Sequence, residues 1–157
     1  MDLEHALELA GQLRDAIAAE VERARDERRL LRALDAAGLF ARAAQRGEFL
    51  AEVARLEREL ATALGRAASA LGLAEVTLER LRLRVPREGE ALARVLSEVR
   101  ALAGALREID ALNLQLAGRA LSCVRGYVQA VRPAPLAYDR RGLRAAQPAL
   151  ALVSSKG

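Results

Sequence analysis

Apolar residues recur along this chain in steps of three and four, the spacing that lines one face of an α-helix. The first run, Leu3, Ala6, Ala10, Leu13, Ile17, Val21, Ala24, Leu31 and Leu34, predicts a helix from about Asp2 to Leu34. Its one irregularity is the four-four step Leu13, Ile17, Val21. The stretch from Glu22 to Arg29 is charged apart from Ala24, the pattern of a solvated helix surface supported by ion pairs. Asp35 is placed to cap the next helix, because its carboxylate can accept from free backbone N–H groups, and Gly38 weakens the helix at that point. A second helix then runs to about Leu71 on the stripe Phe49, Val53, Leu56, Leu60, Ala63, Ala67 and Ala70, widened by Leu50, Leu64 and Leu71. Its alanine-rich half lets a neighbouring helix approach closely.

Gly72 ends the second helix. A short helical piece, Leu78 to Leu83, precedes an expected loop Val85-Pro86-Arg87-Glu88-Gly89, although Pro86, Glu88 and Glu90 also suit the start of a helix. The last helix has the most regular pattern: Leu92, Val95, Val99, Leu102, Leu106, Ile109, Asn113, Leu116, Ala120, Cys123 and Tyr127 alternate three and four without a break. From residue 90 to 131 it would form a rod of about 60 Å. Pro133 and Pro135 stop it, and the remaining residues have no sustained period. The expected organisation is a helical bundle over residues 1–132 and a flexible tail over 133–157.

Composition reinforces the helical reading. Ala, Leu, Arg, Glu and Lys account for 104 of the 157 residues, well beyond the share that marks long helices, and β-branched and aromatic residues are too few to build a sheet. The expected fold is all-α: an elongated antiparallel helical bundle or coiled coil of three main helices with a flexible C-terminal tail.

Charge changes the picture only locally. Residues 1–110 carry 18 Arg and 20 acids, whereas residues 111–157 carry six Arg, one Lys and the single acid Asp139. The net charge of +4 therefore belongs to the C-terminal third. The tail beyond the proline break has few cations and only Tyr138 as a stacking residue, a poor track for nucleic acid, and nucleic acid is not expected as a partner.

The chain also lacks the usual equipment of catalysis. Its one His, His5, and one Lys, Lys156, sit near opposite ends, no ligand pair has zinc spacing, and no glycine-rich phosphate loop occurs. An enzyme, a metal site and a cofactor are not expected. The acidic start MDLEHALEL lacks the form of a signal peptide, no apolar run is long enough to span a membrane, and the lone Cys123 offers no internal disulfide. A soluble, cytoplasmic protein is expected.

Three residues stand out from the pattern. Cys123 occupies the apolar seam of the last helix, where a buried small side chain is the ordinary occupant. Asn113 interrupts the same seam with a polar group; it either fixes helix register or takes part in partner binding, and Asn113→Leu is expected to raise stability. Tyr138 lies beyond the proline break among turn residues and cations, the setting of a recognition residue. The apolar stretch Pro148 to Val153 is a further candidate for docking.

The segment I-D-A-L-N-L-Q-L-A-G-R-A-L, followed by V-Q-A-V-R-P-A-P-L-A-Y-D-R-R-G, resembles the FlgN family. Asn113 matches the second Asn of that family's N-x-x-N pair, Asp110 replaces the first, and Tyr138 with Gly142 matches its Y-x-x-x-G element. The order of helices and tail agrees along the chain. The resemblance implies a cytosolic flagellar export chaperone that binds hook-filament junction proteins such as FlgK and FlgL. Such a chaperone prevents their premature assembly and delivers them to the export gate protein FlhA. It places client binding at Asp110, Asn113, Leu116, Ala120 and Tyr127, and gate binding at Tyr138 and Gly142. Leu116→Asp is expected to cost several kcal/mol by burying an unpaired charge. The alternatives are a structural or adaptor coiled coil that self-associates through the last helix, and a nucleic-acid-associated helical protein.

Overall fold

The computed structural model describes residues 2–73, 75 and 77–131. Among them it contains four helices and no strand: α1 (Asp2–Ala33), α2 (Ala36–Ala70), α3 (Leu78–Arg84) and α4 (Pro86–Val131). The tail expected over residues 133–157, including the stretch Pro148 to Val153, lies outside the described residues.

The turn between α1 and α2 is made by local hydrogen bonds. Asp35 N–H donates to the Leu30 carbonyl at 3.0 Å, Leu34 takes a left-handed φ of 53°, and the Asp35 carboxylate accepts from Gly38 N–H at 3.0 Å. The expected N-cap is thus in place, and two residues reverse the chain. At the far end of α2, Gly72 adopts φ +67°, the conformation that ends a helix most readily in glycine.

Four helices stand where three main ones are expected, because the short helical piece expected at Leu78 to Leu83 forms α3, a capped helix in its own right. The Thr77 hydroxyl caps it by accepting from Arg80 N–H at 3.3 Å. The loop expected over residues 85–89 is also absent: α4 begins at Pro86, and Gly89 N–H already donates to the Val85 carbonyl at 2.8 Å. Proline suits a first helical position because its missing donor would have no partner there.

So abrupt a corner brings two backbones together. A Cβ on the buried Gly89 would lie 2.8 Å from the Arg82 nitrogen and 2.9 Å from both the Arg82 Cα and the Leu81 carbonyl carbon. Gly89→Val is therefore expected to lower stability by about 1–3 kcal/mol, measured by thermal or urea unfolding.

The packed unit ends at Ser122. Its core is an apolar seam of Ala6, Leu9, Ala10, Leu13, Ile17, Val21 and Ala24 from α1 against Phe49, Leu56, Leu60 and Ala63 from α2, closed by Leu81 of α3 and Leu92, Leu106 and Ile109 of α4. Directions follow from polar contacts. Glu20 pairs with Arg46 and Glu27 with Arg42, so α2 runs against α1; Arg14 pairs with Glu98, and Ala24 with Asn113, so α4 runs along α1. The antiparallel relation holds between α2 and each of its two long neighbours.

Candidate functional site

A polar layer interrupts this core. Glu20 is completely buried, and its carboxylate accepts from Arg42, from Arg46 at 2.8 Å and from Arg23 at 2.9 Å. Arg46 continues to Asp110 on α4 and stacks over the Phe49 ring with its guanidinium carbon 5.6 Å from the centroid. Burial alone would raise the Glu20 carboxyl, but the hydrogen bonds from Arg42, Arg23 and Arg46 outweigh it and hold it below the ordinary value. For Arg46, burial is outweighed by Asp110 and Glu20, so its guanidinium holds its proton more tightly than usual. Arg42 is also buried; its Nε faces Glu27 Oε2 at 3.3 Å as an ion pair outside hydrogen-bond geometry, and its Nη1 has no hydrogen bond among the described residues.

Three members of this layer, Glu20, Arg42 and Arg46, escaped the sequence reading, though a signal for them exists. Regular three-four steps from Leu13 and Ile17 fall on Glu20 and then Ala24; the irregular four-four step to Val21 passed over the glutamate. Extended backward from Phe49, the α2 stripe falls on Arg46 and Arg42. Opposite charges on two facing seams form the layer. The charged stretch Glu22–Arg29 is correspondingly not all solvated surface: Arg25 and Arg29 pair with Glu22 and Asp26 outside, while Glu27 and Arg28 turn toward the neighbouring helices.

The candidate client residues separate into two groups. Asp110 and Asn113 tie α4 to the α1–α2 hairpin. The buried Asn113 amide donates to the Ala24 carbonyl at 2.7 Å, and its oxygen accepts from Arg28 Nε at 3.2 Å. These bonds reverse the sign expected for Asn113→Leu, because leucine can make neither. A loss of about 1–3 kcal/mol is expected, to be read from the urea midpoint at constant slope. Leu116 and Ala120 are half-buried and Tyr127 is exposed. Tyr138 and Gly142 lie outside the described residues.

The seam of α4 is continuous in sequence but not in packing. Cys123, expected to be buried, is exposed. Asn113 still packs against Ala24, whereas Cys123 lies just past the end of the packed unit at Ser122. On the last turns of α4, Val124, Tyr127, Val128 and Val131 are exposed, as are Leu112, Leu114 and Leu121 before them. No group of His, Cys, Asp or Glu suited to a metal ion occurs among the described residues, and none of their helices is long and apolar enough to cross a membrane.

No curated protein and no solved structure matches the chain. The family described as FlgN protein matches residues 1–145, a span that takes in all four helices and the Tyr138 element. With a match over nearly its whole length, the chain belongs to the FlgN family of flagellar export chaperones.

Proposed function

We propose that this chain acts in the cytoplasm on hook-filament junction proteins of the FlgK and FlgL kind. It holds an amphipathic helical segment of the client against the C-terminal part of α4, prevents its premature assembly and passes it to the export gate protein FlhA. The observation that carries this reading is the apolar side chains left uncovered on α4: a helix-in-groove partner buries such a face. Leu116, Ala120 and Tyr127 contact the client, while Asp110 and Asn113 hold α4 to α2 and α1. Tyr138 and Gly142 are assigned to the gate on the family resemblance. The reading takes the protein to be a binding protein without catalytic residues or a cofactor.

The test is a pair of titrations of the full chain, against a junction-protein fragment and against the cytoplasmic domain of FlhA. An aromatic anchor is worth about 2 kcal/mol, so Tyr127→Ala is expected to weaken client binding by about thirtyfold, and Tyr138→Ala gate binding by as much. Unchanged affinities would remove those assignments. The same apolar residues could instead join two copies of the chain. In that case sedimentation would show a stable homo-oligomer of wild type that binds no client.

A further inference from the structure

Within the packed unit, Arg28 and Arg32 of α1 and Leu112, Gln115, Leu116 and Arg119 of α4 line a cleft of about 170 Å³. Its lining holds two leucines and three arginines and no carboxylate. Three other clefts on this unit do carry acids, namely Asp26 with Glu27, Glu27 with Asp110, and Glu90 with Glu98. Among the described residues, Arg32 and Arg119 make no ion pair, and Arg28 donates only to Asn113. Other arginines among the described residues, Arg58 and Arg100 for example, also make no ion pair; what sets Arg28, Arg32 and Arg119 apart is that the three share one cleft. Arg28 and Arg32 lie in the last two turns of α1, where cations complement the helix carbonyls, so their presence has an ordinary explanation. Arg119 has none of that kind, because it comes from the middle of another helix and converges on the same opening.

We infer that this cleft is the part of the client surface that selects charge: it takes one aliphatic side chain of an amphipathic helix whose neighbouring residues are acidic. The inference rests on the client-binding reading and adds to it the chemistry of the segment bound. The aliphatic group covers Leu112 and Leu116, and carboxylates one turn to either side reach Arg32 and Arg119. An acidic protein helix fits better than nucleic acid, because the opening is a short apolar notch with no aromatic stacking residue in its lining.

The experiment uses the full chain and two synthetic amphipathic helices of identical leucine stripe, one flanked by Glu and one by Gln, together with a single-stranded oligonucleotide. Wild type is expected to bind the Glu peptide about tenfold more tightly than its Gln counterpart at low ionic strength, with the gap narrowing as salt is added. The double variant Arg32→Gln/Arg119→Gln should close the gap and leave both the melting temperature and the Gln-peptide affinity unchanged. Arg28 is spared because it bonds Asn113. Equal binding of the two peptides by wild type would overturn the inference, as would a gap that persists in the double variant. Tighter binding of the oligonucleotide than of the Glu peptide would overturn it too. A junction-protein fragment that binds wild type and the double variant alike would refute the cleft and leave the client reading standing. A fragment that fails on wild type while the peptides are still distinguished would do the reverse.

Discussion

Replacing Leu92 with Asp is expected to abolish cooperative folding, whereas the same change at Leu116 should leave the melting curve nearly intact. Leu92 is fully buried at the start of α4, inside the cluster it shares with Leu81 of α3 and with α1 and α2. Asp there removes an apolar side chain and buries a charge with no partner, a loss on the order of 5 kcal/mol. That is comparable to the whole stability of a domain this size. Leu116 belongs to the same three-four stripe, and the periodicity alone predicts a cost of several kcal/mol at that position. In the fold it is half-buried beside Arg28, Arg32 and Arg119, so an aspartate would meet cations and water. Circular dichroism and thermal melts of the two variants distinguish these outcomes. Equal destabilisation would mean that α4 is packed as far as Leu116 and that the uncovered face begins later.

Glu20→Ala should lower stability by about 3–5 kcal/mol, because among the described residues the buried Arg42 loses its one hydrogen-bonded carboxylate and keeps only the ion pair with Glu27. For a chain of this length that corresponds to a fall in melting temperature on the order of 10 °C. Replacing both partners, Glu20→Leu with Arg42→Met, should restore most of the loss, since a buried pair often contributes little more than an apolar pair of similar volume. A double variant as unstable as the single one would mean that the layer supplies net stability beyond neutralising its own charges. The same pair controls the acid limb. The Glu20 carboxyl titrates below its ordinary value of 4.5, so the unfolded chain takes up a proton there before the folded one does. The stabilisation is complete above that value and is lost as the pH falls through the lower folded value. Glu20→Gln should therefore flatten the decline of melting temperature below about pH 4.5 relative to wild type. An acid limb as steep as that of wild type would assign the decline to other carboxyls.

The sequence by itself determined the long helices, the turn between the first two and most of the sides that face inward. These are local properties: the cap at Asp35, the stop at Gly72 and the three-four period act over one or two turns, whereas the loop expected at residues 85–89 is helix from Pro86 on. The motif around Asn113 and Tyr138 likewise sufficed to suggest the family, which the match over residues 1–145 shows. Periodicity could not say what lies opposite each side. Cys123 and Tyr127 hold the same places in the stripe as buried residues before them, yet both are exposed. Whether Asn113 is available to a partner depends on the Ala24 carbonyl and Arg28 meeting it across the helix pair. Glu20, Arg42 and Arg46 each resemble a surface charge when read along a single helix, and only the antiparallel pairing of α1 with α2 brings them together as a buried layer. A helix period decides which side chains share a face; the lengths and directions of the neighbouring helices decide which of those faces are covered.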